Sequence, residues 1–418
     1  MSAQNGFKRR ARAGSVKETL DTIEMDPSHH LTDALRPQMP VLPATPRRPS
    51  WTQAVSEASR DSPSSKGLWP DIKTGRWIVV PSSSLTLLVI FAALYVNWAV
   101  LASYVTPKLP NPFEPLLFIS HRVPGSSDDD PRYQKGYLDL VFIAYHVIVF
   151  SFVRQVITLH LFKPFARYCR IKEAKLDRFG EQGYACVYSV FLGLWGLRIM
   201  SQLPTWWYRT EYFWLDYPHW DMKPELKRYY LTQFSYWLHQ LIVLALRLEK
   251  PRTDYQELVA HHLVTLWLIG WSYLINLTVI GNAVFVSMDI PDVFLALSIM
   301  LNYLQSHFKI VSFGGFVLIW TYFRHYLNLV ILWSVYSEFD LMPESSKHWE
   351  PPQGVWMVWW MKWQIFAPIL LLQCLNLFWY YLILRVIVRA LKDPAGATDV
   401  RSDDEIDGKV ESDDDIDD

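Results

Sequence analysis

The sequence predicts an all-α, polytopic transmembrane helical bundle. Apolar runs of about 20 residues recur from Leu85 onward, the length a helix needs to cross roughly 30 Å of hydrocarbon. Positive charge gathers on alternate connections between those runs, as it does on the cytosolic loops of membrane proteins. The chain is 51% hydrophobic over 418 residues, an average that either a soluble or a membrane protein could have, so the clustering of the apolar residues decides the class.

Residues 1–82 come first. They carry Lys8, Arg9, Arg10 and Arg12 and the stretches "PATPRRPSW" and "SEASRDSPSSKG", the Pro- and Ser-rich composition of a disordered cytosolic tail. No early apolar core suggests a cleavable signal peptide, so the first span is expected to serve as the signal anchor. Apolar windows then predict about eight spans, at 85–105, 137–162, 184–203, 229–248, 257–278, 281–302, 309–336 and 364–390. The first two spans and their loops make up residues 83–178, and an acidic cytosolic tail, residues 396–418, ends in "ESDDDIDD".

Sidedness follows from the cations. "KPFARYCRIKEAKLDRFG", "RLEKPRTDYQE", and Arg385, Arg389 and Lys392 join the basic N-terminal tail on one side, which the positive-inside rule makes cytosolic, with both termini there. The opposite loops contain "SSDDD", "PHWDMKPE" and "EFDLMPESSKHWEPP", acidic or mixed and rich in the aromatics of an interfacial belt. Arg198, near the end of the third span, can snorkel. Net charge is −1, but it is segregated between a basic head and an acidic tail, so it points to no nucleic-acid partner. Cys169, Cys186 and Cys374 are too scattered for a disulfide framework or zinc site and are expected to be free thiols. Asn276-Leu277-Thr278 matches a glycosylation sequon, expected to be unmodified in so short a loop.

Ionisable groups inside spans are expensive, about 2.5–3.5 kcal/mol each on the insertion scale, and mark candidate functional sites. His261-His262 open the fifth span, roughly 6 to 9 Å from its cytosolic end at 1.5 Å per residue, the level where a lipid head group meets its tail. Asp289 and Asp292 lie in the next span at i, i+3, hence on one face, with Pro291 between them marking a kink. The simplest arrangement is a pair of antiparallel helices joined by a turn at Val279 to Asn282, with a carboxylate holding one imidazole in a base-plus-orienter pair. Arg324 and His325, inside the seventh span, either line the same cavity or bond helix to helix. The single histidines His146, His160 and His239 read as helix-to-helix hydrogen bonders. No set of His-rich boxes with metal-ligand spacing accompanies the pair, so no metal is expected.

The stretch from Tyr229 to Tyr303, with "LEKPRTDYQELVAHHLVTLWL" and "MDIPDVFLALSIMLNYL", closely resembles the Lag1 motif of ceramide synthases (sphingosine N-acyltransferases) of the Lag1/Lac1 type. It is most similar to the fungal branch, within the TRAM/LAG1/CLN8 (TLC) superfamily. The resemblance implies a TLC catalytic domain over residues 179–395, a helical barrel around a buried cavity in the endoplasmic reticulum membrane. It implies N-acylation of a sphingoid base, sphinganine or phytosphingosine, by a fatty acyl-CoA, with His261, His262, Asp289 and Asp292 as the catalytic set and no cofactor beyond the acyl-CoA substrate. Met288 stands where animal-type members often carry histidine, and the homeobox-like segment of many animal members is absent; neither departure touches the catalytic set. Lys250 and Arg252 suit CoA phosphates, although cytosolic loops are cationic in any case. Ser402 and Ser412 precede acidic runs in the manner favoured by acidophilic kinases of the casein kinase 2 type. Yeast-type members suggest further partners: a second copy or paralogue as a dimer, and a small accessory subunit. A translocon-associated or cargo-receptor protein of the same superfamily is the non-enzymatic alternative.

Overall fold

The computed structural model describes residues 49–60, 63–105, 109–248 and 254–392. Among them the regular structure is helical, with isolated β-bridges at Arg122–Tyr133, Tyr133–Met222 and Glu350–Val355. The α-helices of six or more residues are α1 (Trp51–Arg60), α2 (Leu68–Lys73), α3 (Pro81–Val105), α4 (Leu138–Val156), α5 (Lys163–Tyr168), α6 (Leu176–Ser201), α7 (Pro224–Ala245), α8 (Tyr255–Leu274), α9 (Thr278–Tyr303), α10 (Lys309–Trp320), α11 (Asn328–Ser337) and α12 (Met361–Lys392). π-Helical turns, Ile157–Phe162 and Thr321–Leu327, carry α4 into α5 and α10 into α11.

Each predicted span falls on a helix, and six of these segments are long and apolar enough to cross a membrane. The two that fall short, α7 and α8, carry Gln233, His239, His261 and His262, all buried. Their polar side chains lower the mean hydropathy and face inward. Proline at the first helical position, where no N–H is needed, starts both α3 and α7.

Part of the 1–82 segment is helical. Trp51 packs its ring edge-on against Tyr168, Ala54 and Ala58 are buried, and Glu57 approaches Arg167 at 4.0 Å, so α1 lies along α5. Between α2 and α3, the hydroxyls of Ser65 and Ser83 each donate to buried Asp71 at 2.6 Å. These bonds, Ser65 first, hold its carboxyl below the usual carboxylate range. Cys169, Cys186 and Cys374 are all free.

Small residues open a close helix contact. A Cβ on Gly193 of α6 would lie 3.2 Å from Ile290 Cδ1 and 3.5 Å from Asp289 Cβ, and one on Gly196 would lie 2.4 Å from the Tyr229 hydroxyl. Glycine therefore lets α6 approach α9 and α7 beside the Asp289 turn. One end of the bundle is plugged by the segment between α6 and α7. There Phe213, Trp214 and Tyr217 are buried, Trp214 Nε1 donates to Ser334 Oγ at 2.8 Å, and the Tyr217 hydroxyl donates to the Ile275 carbonyl at 2.9 Å.

The α8–α9 turn occupies residues 275–277 rather than the expected Val279 to Asn282. Asn276 adopts a left-handed φ of 63°, a conformation that asparagine tolerates, and the Leu277 N–H closes on the Ser272 carbonyl at 2.8 Å, a Schellman-type stop. Asn276 is only 2% exposed and its Nδ2 donates to the Gly354 carbonyl at 2.8 Å, so the sequon nitrogen is already engaged. Lys135, in the α3–α4 loop, donates to Asn276 Oδ1 at 2.9 Å and to the Leu274 carbonyl.

Burial pushes the Lys135 amine down to about 8. The unfolded chain then holds that proton more tightly than the folded one, so stability is expected to rise with pH from about 8 to about 10.4 and to be flat below. Thermal unfolding of the detergent-solubilised protein across that range checks this: Lys135→Met should abolish the Lys135 share of the rise, and an unchanged slope in the variant contradicts it.

Candidate active site

The histidine pair sits on α8, about 9 Å along the helix from Tyr255 to His261 at 1.5 Å per residue. Consecutive residues diverge by about 100° on a helix, and the two imidazoles stand nearly perpendicular, at 88° with centroids 5.7 Å apart. Exposures of 7% and 6% for His261 and His262 place both inside the protein. His262 Nδ1 lies 2.7 Å from the Leu258 carbonyl. A carbonyl only accepts, so Nδ1 carries the proton and the neutral ring keeps its lone pair on Nε2. His261 Nδ1 is buried with no hydrogen-bond partner among the described residues. Three rings surround His261 edge-on: Trp237 at 5.6 Å, Trp379 at 5.3 Å and His262. Trp379 is fixed in turn by its Nε1 bond to Asp254 Oδ2, 3.0 Å, just before α8 begins.

The aspartates lie on α9, which is helical without interruption through Pro291. They do not hold the imidazoles. Asp289, 1% exposed, accepts from Gln233 Nε2 at 2.7 Å; the same amide nitrogen bonds the Tyr229 hydroxyl at 3.0 Å, and its oxygen accepts from the Tyr188 hydroxyl. Asp292 Oδ1 pairs with Arg324 at 2.6 Å. The carboxylates have nearer donors on α7 and in the π-helical turn, so the expected carboxylate orienter is replaced by the Leu258 backbone carbonyl.

Arg324 and His325 both bond helix to helix. Beyond Asp292, Arg324 donates to the Met288 carbonyl and to Asn376 Oδ1, each at 3.1 Å, and its guanidinium lies 4.3 Å from the Trp320 ring centroid. It thus ties α9 to α12. His325 Nδ1 meets Gln373 Nε2 at 2.8 Å, and Gln373 Oε1 accepts from Asn328 at 2.7 Å. The π turn, a geometry frequent at functional sites, delivers both residues. Of the single histidines, His146 bonds its own helix through the Phe142 carbonyl at 2.9 Å, whereas His239 is fully buried with neither ring nitrogen partnered among the described residues. Lys250, Arg252, Ser402 and Ser412 lie outside the described residues.

Gln233, Tyr188, Trp237, Trp379 and Asn376 complete the surroundings and were not singled out in the sequence. A signal existed for Asn376: with Gln373 it makes a polar pair at i, i+3 in the apolar middle of α12, the same pattern that marked Asp289 and Asp292. A small apolar cavity opens about 10 Å further along α8, seven residues beyond His261, lined by Tyr230, Leu268, Trp271, Ile280, Phe285 and Ile369. Among the described residues no group of three or more His, Cys, Asp or Glu could hold a metal ion.

Residues 178–385 match the family model of the TLC domain. The chain is 39% identical over 290 residues to the sphingosine N-acyltransferase lac1 of Schizosaccharomyces pombe, spanning 69% of this chain and 74% of that protein. It is 38% identical over 303 residues to the ceramide synthase LAG1 of Saccharomyces cerevisiae, spanning 72% of each. Similarity extends to the ceramide synthase LOH1 of Arabidopsis thaliana, 29% identical over 300 residues and covering 94% of that protein.

Proposed function

The chain belongs to the TLC-domain family of sphingosine N-acyltransferases, and from that membership we propose that it is an acyl-CoA-dependent ceramide synthase whose chemistry is centred on His261 and His262. It is a multi-pass membrane acyltransferase of ceramide synthesis. The substrates are a sphingoid base, sphinganine or phytosphingosine, and a fatty acyl-CoA, with no further cofactor. The membrane is that of the endoplasmic reticulum, crossed about eight times with both termini cytosolic, since α7 and α8 join the six apolar segments and the basic connections fall on one side.

The observation that carries the site assignment is the buried, perpendicular histidine pair with complementary nitrogens. His262 is oriented at Nδ1 by the Leu258 carbonyl and serves as the base in this reading; His261 Nδ1 has no hydrogen-bond partner among the described residues. The sphingoid amine is mostly ammonium at neutral pH and must lose a proton before it attacks, a task suited to imidazole. In the sequence we infer, His261 Nδ1 attacks the thioester carbon, the C–S bond breaks and CoA leaves as thiolate. Its conjugate acid has a pKa of about 8.5, so departure needs little acid help. The ammonium loses one proton to solvent, the resulting amine attacks the acyl-imidazole while His262 takes the second proton, and the C–N(imidazole) bond breaks to release the amide.

The plugged end formed by Phe213, Trp214 and Tyr217 lies away from the pair, which supports entry of acyl-CoA from the Tyr255 end. The apolar cavity beyond His261 suits part of the acyl chain. The Arg324–Asp292 ion pair and the Gln233–Asp289 hydrogen bond fix the surrounding helices next to the reacting groups. Lys250 and Arg252 as CoA-phosphate contacts, Ser402 and Ser412 as phosphorylation sites, and a dimer or accessory subunit remain part of the proposal through the family.

Membranes containing the chain, given sphinganine and acyl-CoAs of increasing length, should form N-acylsphinganine and free CoA in equal amounts. CoA release without amide, or no release with any acyl-CoA, would refute the assignment.

A further inference from the structure

Acyl transfer from a thioester passes through tetrahedral species whose carbonyl oxygen becomes an anion, and a buried hydrogen-bond donor aimed at that oxygen is commonly worth about 10² to 10³ in kcat. Such a donor must have no competing acceptor in the resting protein, and it must lie where one reacting carbonyl can reach both it and the attacking nitrogen.

Trp237 on α7 meets the first condition and stands beside both imidazoles, as the second requires of the side chain. Its Nε1 is buried and has no hydrogen-bond partner among the described residues. Its ring packs on both imidazoles, with centroids 5.6 Å from His261 and 5.5 Å from His262, at 78° and 67°. An acyl carbonyl bound at the pair would lie beside an indole whose N–H has no acceptor among the described residues. Other indole N–H groups are also unpartnered, those of Trp98, Trp271, Trp320 and Trp356, but their rings pack elsewhere. Trp98 meets Phe113, Trp271 stacks on Trp267, Trp320 lies under Arg324 and Trp356 meets Trp349. The terminal nitrogens of Arg324 are committed to Asp292, Met288 and Asn376.

We propose that Trp237 is a further catalytic residue, donating its indole N–H to the oxyanion of the transferring acyl group. When a nitrogen nucleophile bonds to the carbonyl carbon, the π pair moves onto oxygen and is held by the Trp237 N–H. Collapse returns that pair to the C=O bond, and the C–S pair leaves on sulfur in the first step; in the second, the imidazole nitrogen takes the departing pair. Trp237 keeps its proton throughout. The inference rests on the ceramide synthase reading and adds to it the group that stabilises the developing charge.

The test uses the full-length protein with Trp237 replaced by benzothienylalanine, which keeps the bicyclic ring and substitutes sulfur for N–H, alongside Trp237→Phe as a check. The expected result is a kcat for sphinganine acylation about 10²-fold lower, with KM for acyl-CoA within about twofold of wild type. The thermal midpoint and the shape of the kcat–pH profile should be retained, because the indole does not titrate. Wild-type kcat in the isostere overturns the proposal, as does a loss that comes with a shifted pH profile, which would report displaced histidines instead. Inactivity of the wild-type protein itself would count against the ceramide synthase reading, which separates the two failures.

Discussion

Arg324→Ala is expected to destabilise the folded protein by about 1–3 kcal/mol, less than the loss of one partner of a fully buried ion pair because the Asp292 side chain is 27% exposed. The variant strands the Asp292 carboxylate and also removes donors from the Met288 carbonyl and Asn376 Oδ1. Because the cost lies mainly in the uncompensated charge, Arg324→Met combined with Asp292→Asn should recover much of it. Denaturant or thermal unfolding in detergent measures both variants. A double variant no better than Arg324→Ala would show that the bonds to Met288 and Asn376, rather than the charge pair, hold α9 to α12.

The histidines should divide their labour. With sphingoid base withheld and acyl-CoA supplied, intact-protein mass spectrometry is expected to show one acyl group added to the wild-type chain. His261→Ala should lose the adduct, because the bare Nδ1 is gone, whereas His262→Ala should retain and accumulate it, because the proton acceptor for the incoming amine is missing. Loss of a positioned general base commonly costs about 10² to 10⁴ in rate, and His262→Ala is expected in that range. Absence of any adduct on a turnover-competent enzyme would instead favour direct attack of the amine on the thioester, with one imidazole as base.

The long helices were legible because hydrophobic length is a property of the chain itself, independent of what packs against it. Where the sequence reading missed, a tertiary partner made the choice. Asp289 and Asp292 were recognised as costly intramembrane groups sharing a face, and they do share one. Their partners, however, are Gln233 on α7 and Arg324 in a π-helical turn, residues 56 and 32 positions away, and spacing along one helix cannot identify them. The α8–α9 turn moved to residues 275–277 because Asn276 takes a left-handed φ and is fixed from outside by Lys135 and Gly354.

Part of the 1–82 segment had the composition of a disordered tail yet forms α1. Ten residues with Ala54 and Ala58 on one face become a helix once α5 supplies a surface for them, a tertiary contribution that composition does not reveal. The histidine pair was the most legible feature of the site, since two ionisable rings at the mouth of an apolar run have few structural uses. Trp237 and Trp379 are not legible in the sequence for the opposite reason: tryptophan abounds in this chain, 20 of 418 residues, and only the packing separates the rings against His261 from those at the helix ends.

The most direct test of the central claim is the transfer of labelled acyl groups from acyl-CoA to sphinganine by membranes carrying wild-type protein, His261→Ala, His262→Ala or the double variant at equal protein level. Wild type should form N-acylsphinganine with stoichiometric CoA release, and each alanine variant should lose that activity by at least about 10²-fold. Full activity in both single variants would contradict the assignment of the reaction to this pair.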